Sequence, residues 1–176
     1  MLDRVLVDHR DKILERWIAI VIDAYPEETA KFLRSKADPF ANPVGARIRE
    51  SLAELLDGLF EGVEPSELTP ALDRVIRVRA VQEYSPSASL GFVFALKELA
   101  RDVIGETGVE GARSLAVLDA RIERLGMHAF DVYMTCREQM WAIRAREIRN
   151  QSVGIMERVA EWRERREENS EKAPQD

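Results

Sequence analysis

The stretch LTPALDRVIRVRAVQEYSPSASLGFVFALKELARDV, residues Leu68–Val103, reads as two helices folded back on one another at Tyr84-Ser85-Pro86. Ser85 is a good N-cap, and Pro86 sits at the first helical position, where its missing N–H costs nothing. After the turn, Leu90, Val93, Phe94, Leu96 and Leu99 are too apolar for a surface helix and are expected to lie buried. Before it, Leu72, Val75, Ile76 and Val78 make a similar face, with Arg77, Arg79 and Gln82 interleaved. An apolar helix carrying arginines and a glutamine is a place to read a ligand or a partner.

Outward from that pair, the helical period continues in both directions. Towards the N-terminus, Val5, Leu6, Ile13, Leu14, Trp17, Val21 and Ile22 predict one helix over Leu2–Tyr25. Pro26 ends it and opens a short helix anchored by Phe32 and Leu33, with Glu27 and Glu28 at its positive end. Asn42-Pro43 repeats the cap-plus-proline pattern and starts a helix with Val44, Ile48, Leu52, Leu55, Leu56 and Leu59 on one side. Gly58 and Gly62 are expected to help stop it.

Towards the C-terminus, Gly105-Glu106-Thr107-Gly108 is a turn, and the longest helix follows from Glu110 into the 160s. Leu115, Leu118, Ile122, Leu125, Ala129, Val132 and Cys136 alternate by three and four, a heptad seam. A second stripe, Phe130, Tyr133, Met134, Arg137 and Trp141, lies beside it. Gly154 predicts a break, with Ile155, Val159 and Trp162 beyond it, and the charged tail from Arg163 is expected to be disordered. The chain reads as all-α, with a helical domain over 1–150 and a helical extension and charged tail over 151–176.

With 176 residues, 45% hydrophobic and 33% charged, the chain has the makings of one folded domain with a sizeable core. A net charge of −6 argues against nucleic acid as a partner, since phosphate binding needs a basic face. One cysteine excludes an internal disulfide and a cysteine-rich metal centre. Charges every few residues in MLDRVLVDHRDK exclude a signal peptide, and no apolar run is long enough to span a membrane. A cytoplasmic location is expected. No nucleophile–base pair or metal constellation is visible, so no enzyme, no cofactor and no metal are expected.

The order of a long helix, a short one, a proline-rich corner and two long closing helices follows the globin fold. On that mapping the proximal and distal positions hold no histidine, because His9 and His128 lie elsewhere. A globin-like domain of this sequence is therefore expected to be haem-free.

The run LDRVIRVRAVQEYSPSASLGFVFALKELAR resembles the N-terminal domain of the RsbRD type of RsbT co-antagonist proteins. Phe32-Leu33, Asp38-Pro39-Phe40-Ala41-Asn42-Pro43-Val44-Gly45 and Asp131-Val132-Tyr133-Met134-Thr135-Cys136-Arg137-Glu138 look like further parts of that pattern, which covers roughly residues 5–150. The resemblance implies a haem-free globin-like signal-input module that dimerises and precedes a STAS domain in stress-signalling complexes. Here the chain stops at Asp176 without a strand pattern for a STAS domain, so a stand-alone form is expected.

Several residues carry alternatives. Arg77 and Arg79, two apart, point to different sides of a helix. One reading makes them a surface arginine and an arginine that caps or pairs with Asp73 or Glu83. The other has Arg79 and Gln82 line a polar site near the Ser85 turn, with Arg77 beside it. Cys136 is a small buried hydrophobe, or a redox-sensitive thiol whose pKa Arg137 lowers. His128 is two turns away, about 12 Å along the helix, and forms no dyad with it. The seam residues Leu115, Leu118, Ile122, Leu125 and Val132 are either the core face of the last helix or a subunit interface.

A helix from Glu110 to Arg149 would be about 60 Å long, against a domain diameter of about 35–40 Å. An end that projects needs a partner, which favours a homodimer sharing the seam or its flank. The functional reading is a cytoplasmic, non-enzymatic signal-input or adaptor domain with an unidentified protein partner. The alternative is a small-molecule binding protein holding haem or a fatty acid in a buried apolar pocket.

Overall fold

The computed structural model describes residues 4–34, 41–81, 84–105 and 108–171, with the side chains of residues 4, 5, 81, 155, 157, 160 and 164–171 outside that description. Its helices are α1 (Arg4–Asp8), α2 (Arg10–Asp23), α3 (Glu27–Arg34), α4 (Pro43–Glu61), α5 (Thr69–Val81), α6 (Pro86–Ile104) and α7 (Val109–Glu171). A 3-10 turn, Pro65–Leu68, leads into α5. The described residues contain no strand, and the fold is the all-α bundle expected, ending in its long helix. The chain divides into two compact units, Met1–Cys136 and Arg137–Asp176, with the division inside α7.

Within the first unit, α2 packs on α6 and α4, α4 on α5, and α5 on α6. Trp17, Ile13 and Val21 of α2, Leu52, Leu55 and Leu56 of α4, Leu72, Val75 and Ile76 of α5, and Val93 and Leu96 of α6 are all inaccessible to water. Leu118, Ile122, Leu125 and Ala129 of α7 close the same core. Burying each such side chain favours folding by about 1.5–3 kcal/mol.

The two cap-plus-proline signals set two helix starts. The Asn42 carboxamide oxygen accepts from the Gly45 N–H at 2.9 Å, and the Ser85 hydroxyl accepts from the Ala88 N–H at 3.2 Å. Asn42 is itself buried because its Nδ2 donates to the orphan carbonyls of Phe32 and Leu33 at the end of α3, at 3.0 and 3.3 Å. Gly62 ends α4 in the left-handed conformation, at φ 82°. Gly58 does not stop that helix. It lies inside it, and a Cβ there would stand 2.6 Å from Leu68 Cδ2, so the position serves close packing.

Other expectations need correction. The first helix is divided at His9 into α1 and α2. Phe94 is 42% exposed, because the inward face of α6 is carried by Ser89, Leu90, Phe92, Val93, Leu96, Leu99, Ala100 and Val103. Phe92 takes the core position instead, 5.9 Å from the Trp17 ring and accepting the Trp17 indole N–H on its carbonyl at 2.7 Å. Phe32 and Val44 are exposed too, and Leu33 and Ala30 anchor α3 in place of Phe32. Helix α7 runs through Gly154 to Glu171. One glycine costs a helix only about 1 kcal/mol, too little to interrupt one of this length.

Candidate functional site

Helix α5 presents two chemically distinct faces. On the inward one Arg79 is 3% exposed. Its Nη2 donates to the Val21 carbonyl at 2.8 Å and its Nη1 to the Ala88 carbonyl at 3.0 Å. Val21 lies in the last turn of α2, so the guanidinium meets the negative end of that helix dipole. Its carbon lies 5.3 Å from the ring centres of both Tyr25 and Phe92, so two aromatic faces supply further electron density. Among the described residues no carboxylate pairs with it. Three buried polar atoms here, Arg79 Nε, Tyr25 Oη and Ser89 Oγ, have no hydrogen-bond partner among the described residues. Burial pushes the Tyr25 hydroxyl pKa up, and the Arg79 charge partly offsets that.

On the outward face Asp73 is a junction. Arg77 Nε and Nη2 donate to its two oxygens at 3.0 and 2.9 Å. The Cys136 thiol of α7 donates to Asp73 Oδ1 at 3.4 Å. Burial first, then the hydrogen bond to Asp73 and the Asp73 charge, push the thiol pKa above its ordinary value, with Arg77 opposing. Arg137, expected to lower it, instead lies with its guanidinium carbon 6.0 Å from the Trp141 ring centre. Cys136 is therefore held as a protonated thiol, and Arg77 is held as a cation by Asp73.

Further along the same groove the Thr69 hydroxyl donates to the Ser66 carbonyl at 2.7 Å. Its single proton is thereby used, and the contact with His128 Nε2 at 2.7 Å must be donated by the imidazole. Thr69, Pro70, Asp73, Arg77, His128, Asp131, Val132, Thr135 and Cys136 line a groove of about 410 Å³ between α5 and α7.

Of the residues singled out in the sequence, the structure thus brings Arg77 and Cys136 together through Asp73. It separates both from Arg79. Ser85 caps α6 next to Ala88 and so shares its turn with Arg79's acceptor. Gln82 lies outside the described residues. Leu118, Ile122, Leu125 and Val132 are buried in the core of their own unit and Leu115 packs against it, so this face of the seam is spent inside the subunit. Sequence reasoning missed Tyr25, Phe92 and His128 as neighbours of these groups. The Asp73–Arg77 spacing of four was the one local signal available.

Among the described residues no group of three histidine, cysteine or acidic side chains is placed to hold a metal. Among them, too, no helix is long and apolar enough to cross a membrane. No solved structure matches the chain significantly. A protein of Archaeoglobus fulgidus described as "Uncharacterized protein" is 22% identical over 161 residues, covering 89% of this chain and 95% of the relative. Most of α2, all of α3 to α6 with the capped start of α6 and the polar face of α5, and α7 as far as residue 148 fall within residues 11–148, which match the RsbT co-antagonist protein rsbRD N-terminal domain. That is a family of regulatory domains, and this chain belongs to it.

Proposed function

We propose that this domain is a non-enzymatic signal-input module of the cytoplasm that works through protein–protein contact, as a homodimer. The observation that carries the reading is an exposed apolar patch on the first unit. Phe94 of α6 and Met127, Phe130 and Met134 of α7 are 42%, 69%, 44% and 39% exposed. Phe94 lies over Gly126, and the three α7 residues follow at helical spacing, so the four make one surface. Such a patch is costly in water and marks an interaction site.

A second copy is the occupant proposed, because the stripe repeats by three and four, the spacing with which like helices pair. In the second unit Trp141, Ile148 and Trp162 are exposed at positions of the same repeat. The flank of the seam, rather than the seam itself, is the shared face. Protein contact is also what a regulatory family implies. The reading as a carrier of haem or fatty acid in a buried apolar pocket is not favoured, since the groove between α5 and α7 is lined by Asp73, Arg77, His128 and Asp131 and is not an apolar cavity.

Sedimentation equilibrium at micromolar concentration tests the proposal. The expected result is a dimer that the double substitution Phe130→Glu, Met134→Glu converts to a monomer of 20.1 kDa with its helicity intact. A wild-type monomer would sink it.

A further inference from the structure

A second pocket shares Asp73 and Arg77 with the α5–α7 groove but lies between α5 and α4. It has a volume of about 230 Å³ and is lined by Val44, Arg47, Ile48, Asp73, Arg74, Arg77 and Val78. Three guanidinium groups meet there. Two are held from behind: Arg74 donates its Nε to Ser51 Oγ at 2.8 Å and pairs through Nη2 with Glu54, and Arg77 gives Nε and Nη2 to Asp73. Each of these two keeps Nη1 out of those bonds. Arg47, exposed on α4, makes no ion pair among the described residues. Three arginines against two carboxylates leave a net positive charge on a chain whose overall charge is −6.

The walls are apolar. Ile48 is buried, Val78 is half-buried, and Val44 is 44% exposed, an exposure the core does not explain. Guanidinium donors fixed in advance suit the oxygens of a phosphoryl or carboxylate group and lose little freedom on binding it. The walls suit a carbon skeleton attached to that group. At about 230 Å³ the pocket is smaller than the roughly 300–1,000 Å³ of drug-sized sites, so it suits a compact molecule rather than a protein segment.

We propose that the α4–α5 pocket is a binding site for a small organic anion, a phosphate ester or carboxylate, held by Arg47, Arg74 and Arg77 with its carbon part against Val44, Ile48 and Val78. The site stands on its own geometry and does not depend on the dimeric signalling module proposed above.

Phenyl phosphate and inorganic phosphate are the probes, titrated calorimetrically into the full chain at fixed ionic strength. Saturable one-to-one binding of phenyl phosphate is expected, tighter than that of inorganic phosphate. Arg47→Glu should weaken it about tenfold or more, whereas Arg113→Glu, the same charge change at an exposed position of α7, should leave it within about twofold. Arg47→Gln replaces the reversal if circular dichroism shows the latter to disturb the fold. Absence of saturable binding, equal effects of Arg47→Glu and Arg113→Glu, or phenyl phosphate binding no tighter than inorganic phosphate would each overturn the proposal.

Discussion

A guanidinium group buried to 3% exposure is held by what surrounds it, and Arg79 is surrounded by the free carbonyl of one helix end, a carbonyl in the first turn of another helix and two aromatic faces. Replacing Arg79 by alanine is expected to cost about 3 kcal/mol, through two charge-assisted hydrogen bonds and the space left between Tyr25 and Phe92. Lysine should recover little, since one ammonium cannot bridge both carbonyls while lying flat between two rings. Urea unfolding of the two variants measures both effects.

Cys136 makes a prediction in pH. Its folded pKa lies above the ordinary 9.0, so the folded state holds the thiol proton more tightly than the unfolded chain does. The stability this gives is complete below pH 9.0 and is lost as pH rises through the folded value. Thiol modification should accordingly be slow at neutral pH. Asp73→Asn should speed it, since the substitution removes the charge that raises the pKa and frees Arg77, which lowers it. An unchanged rate in Asp73→Asn would mean that burial alone protects the thiol.

At the scale of the helix, starts were easier to read than faces. Ser85-Pro86 and Asn42-Pro43 announce their helices by local chemistry, and both caps are made as the residue types require. Which side of α6 turns inward is a tertiary matter, and the run Phe92-Val93-Phe94 offers two phenylalanines to a single core position. Phe94→Ala should therefore cost no more than about 1 kcal/mol in the monomer, well short of the 3–5 kcal/mol of a buried phenylalanine.

The glycines separate in the same way. Gly58→Ala presses a methyl to 2.6 Å from buried Leu68 and should destabilise by about 1 kcal/mol despite the better helix propensity. Gly91→Ala, in α6 with nothing within 4 Å, should stabilise by about 0.5–1 kcal/mol. Thermal melts of both variants decide whether close packing or chain entropy rules each position.

At the scale of the molecule, the all-α class and the family were legible because helical period and a long shared pattern survive in any one sequence. The polar geography was not. A spacing of two puts Arg77 and Arg79 on different sides of a helix, but it does not say which one is sealed in the core and which pairs with Asp73 at the surface. His128 and Thr69 are 59 residues apart, and only the docking of α7 on α5 makes them neighbours. The α7 seam was readable as apolar, but whether a subunit keeps it or shares it depends on which face the bundle has already covered.

Three helix ends are finished by arginines from elsewhere in the chain: Arg79 serves α2, Arg49 serves α3 through the Leu33 carbonyl at 2.8 Å, and Arg121 serves α4 through the Leu59 and Phe60 carbonyls, both at 2.7 Å. In each case the donor is made later than the acceptor. A ribosome delivering this chain releases the end of α2 before Arg79 exists, and the end of α4 sixty-odd residues before Arg121 emerges. Until their cations arrive, water has to satisfy those carbonyls. The ends of α2 and α3 are completed within the first five helices, whereas the end of α4 leaves its carbonyls to water until Arg121 of α7 docks, so of these three joins it is the one that synthesis completes last.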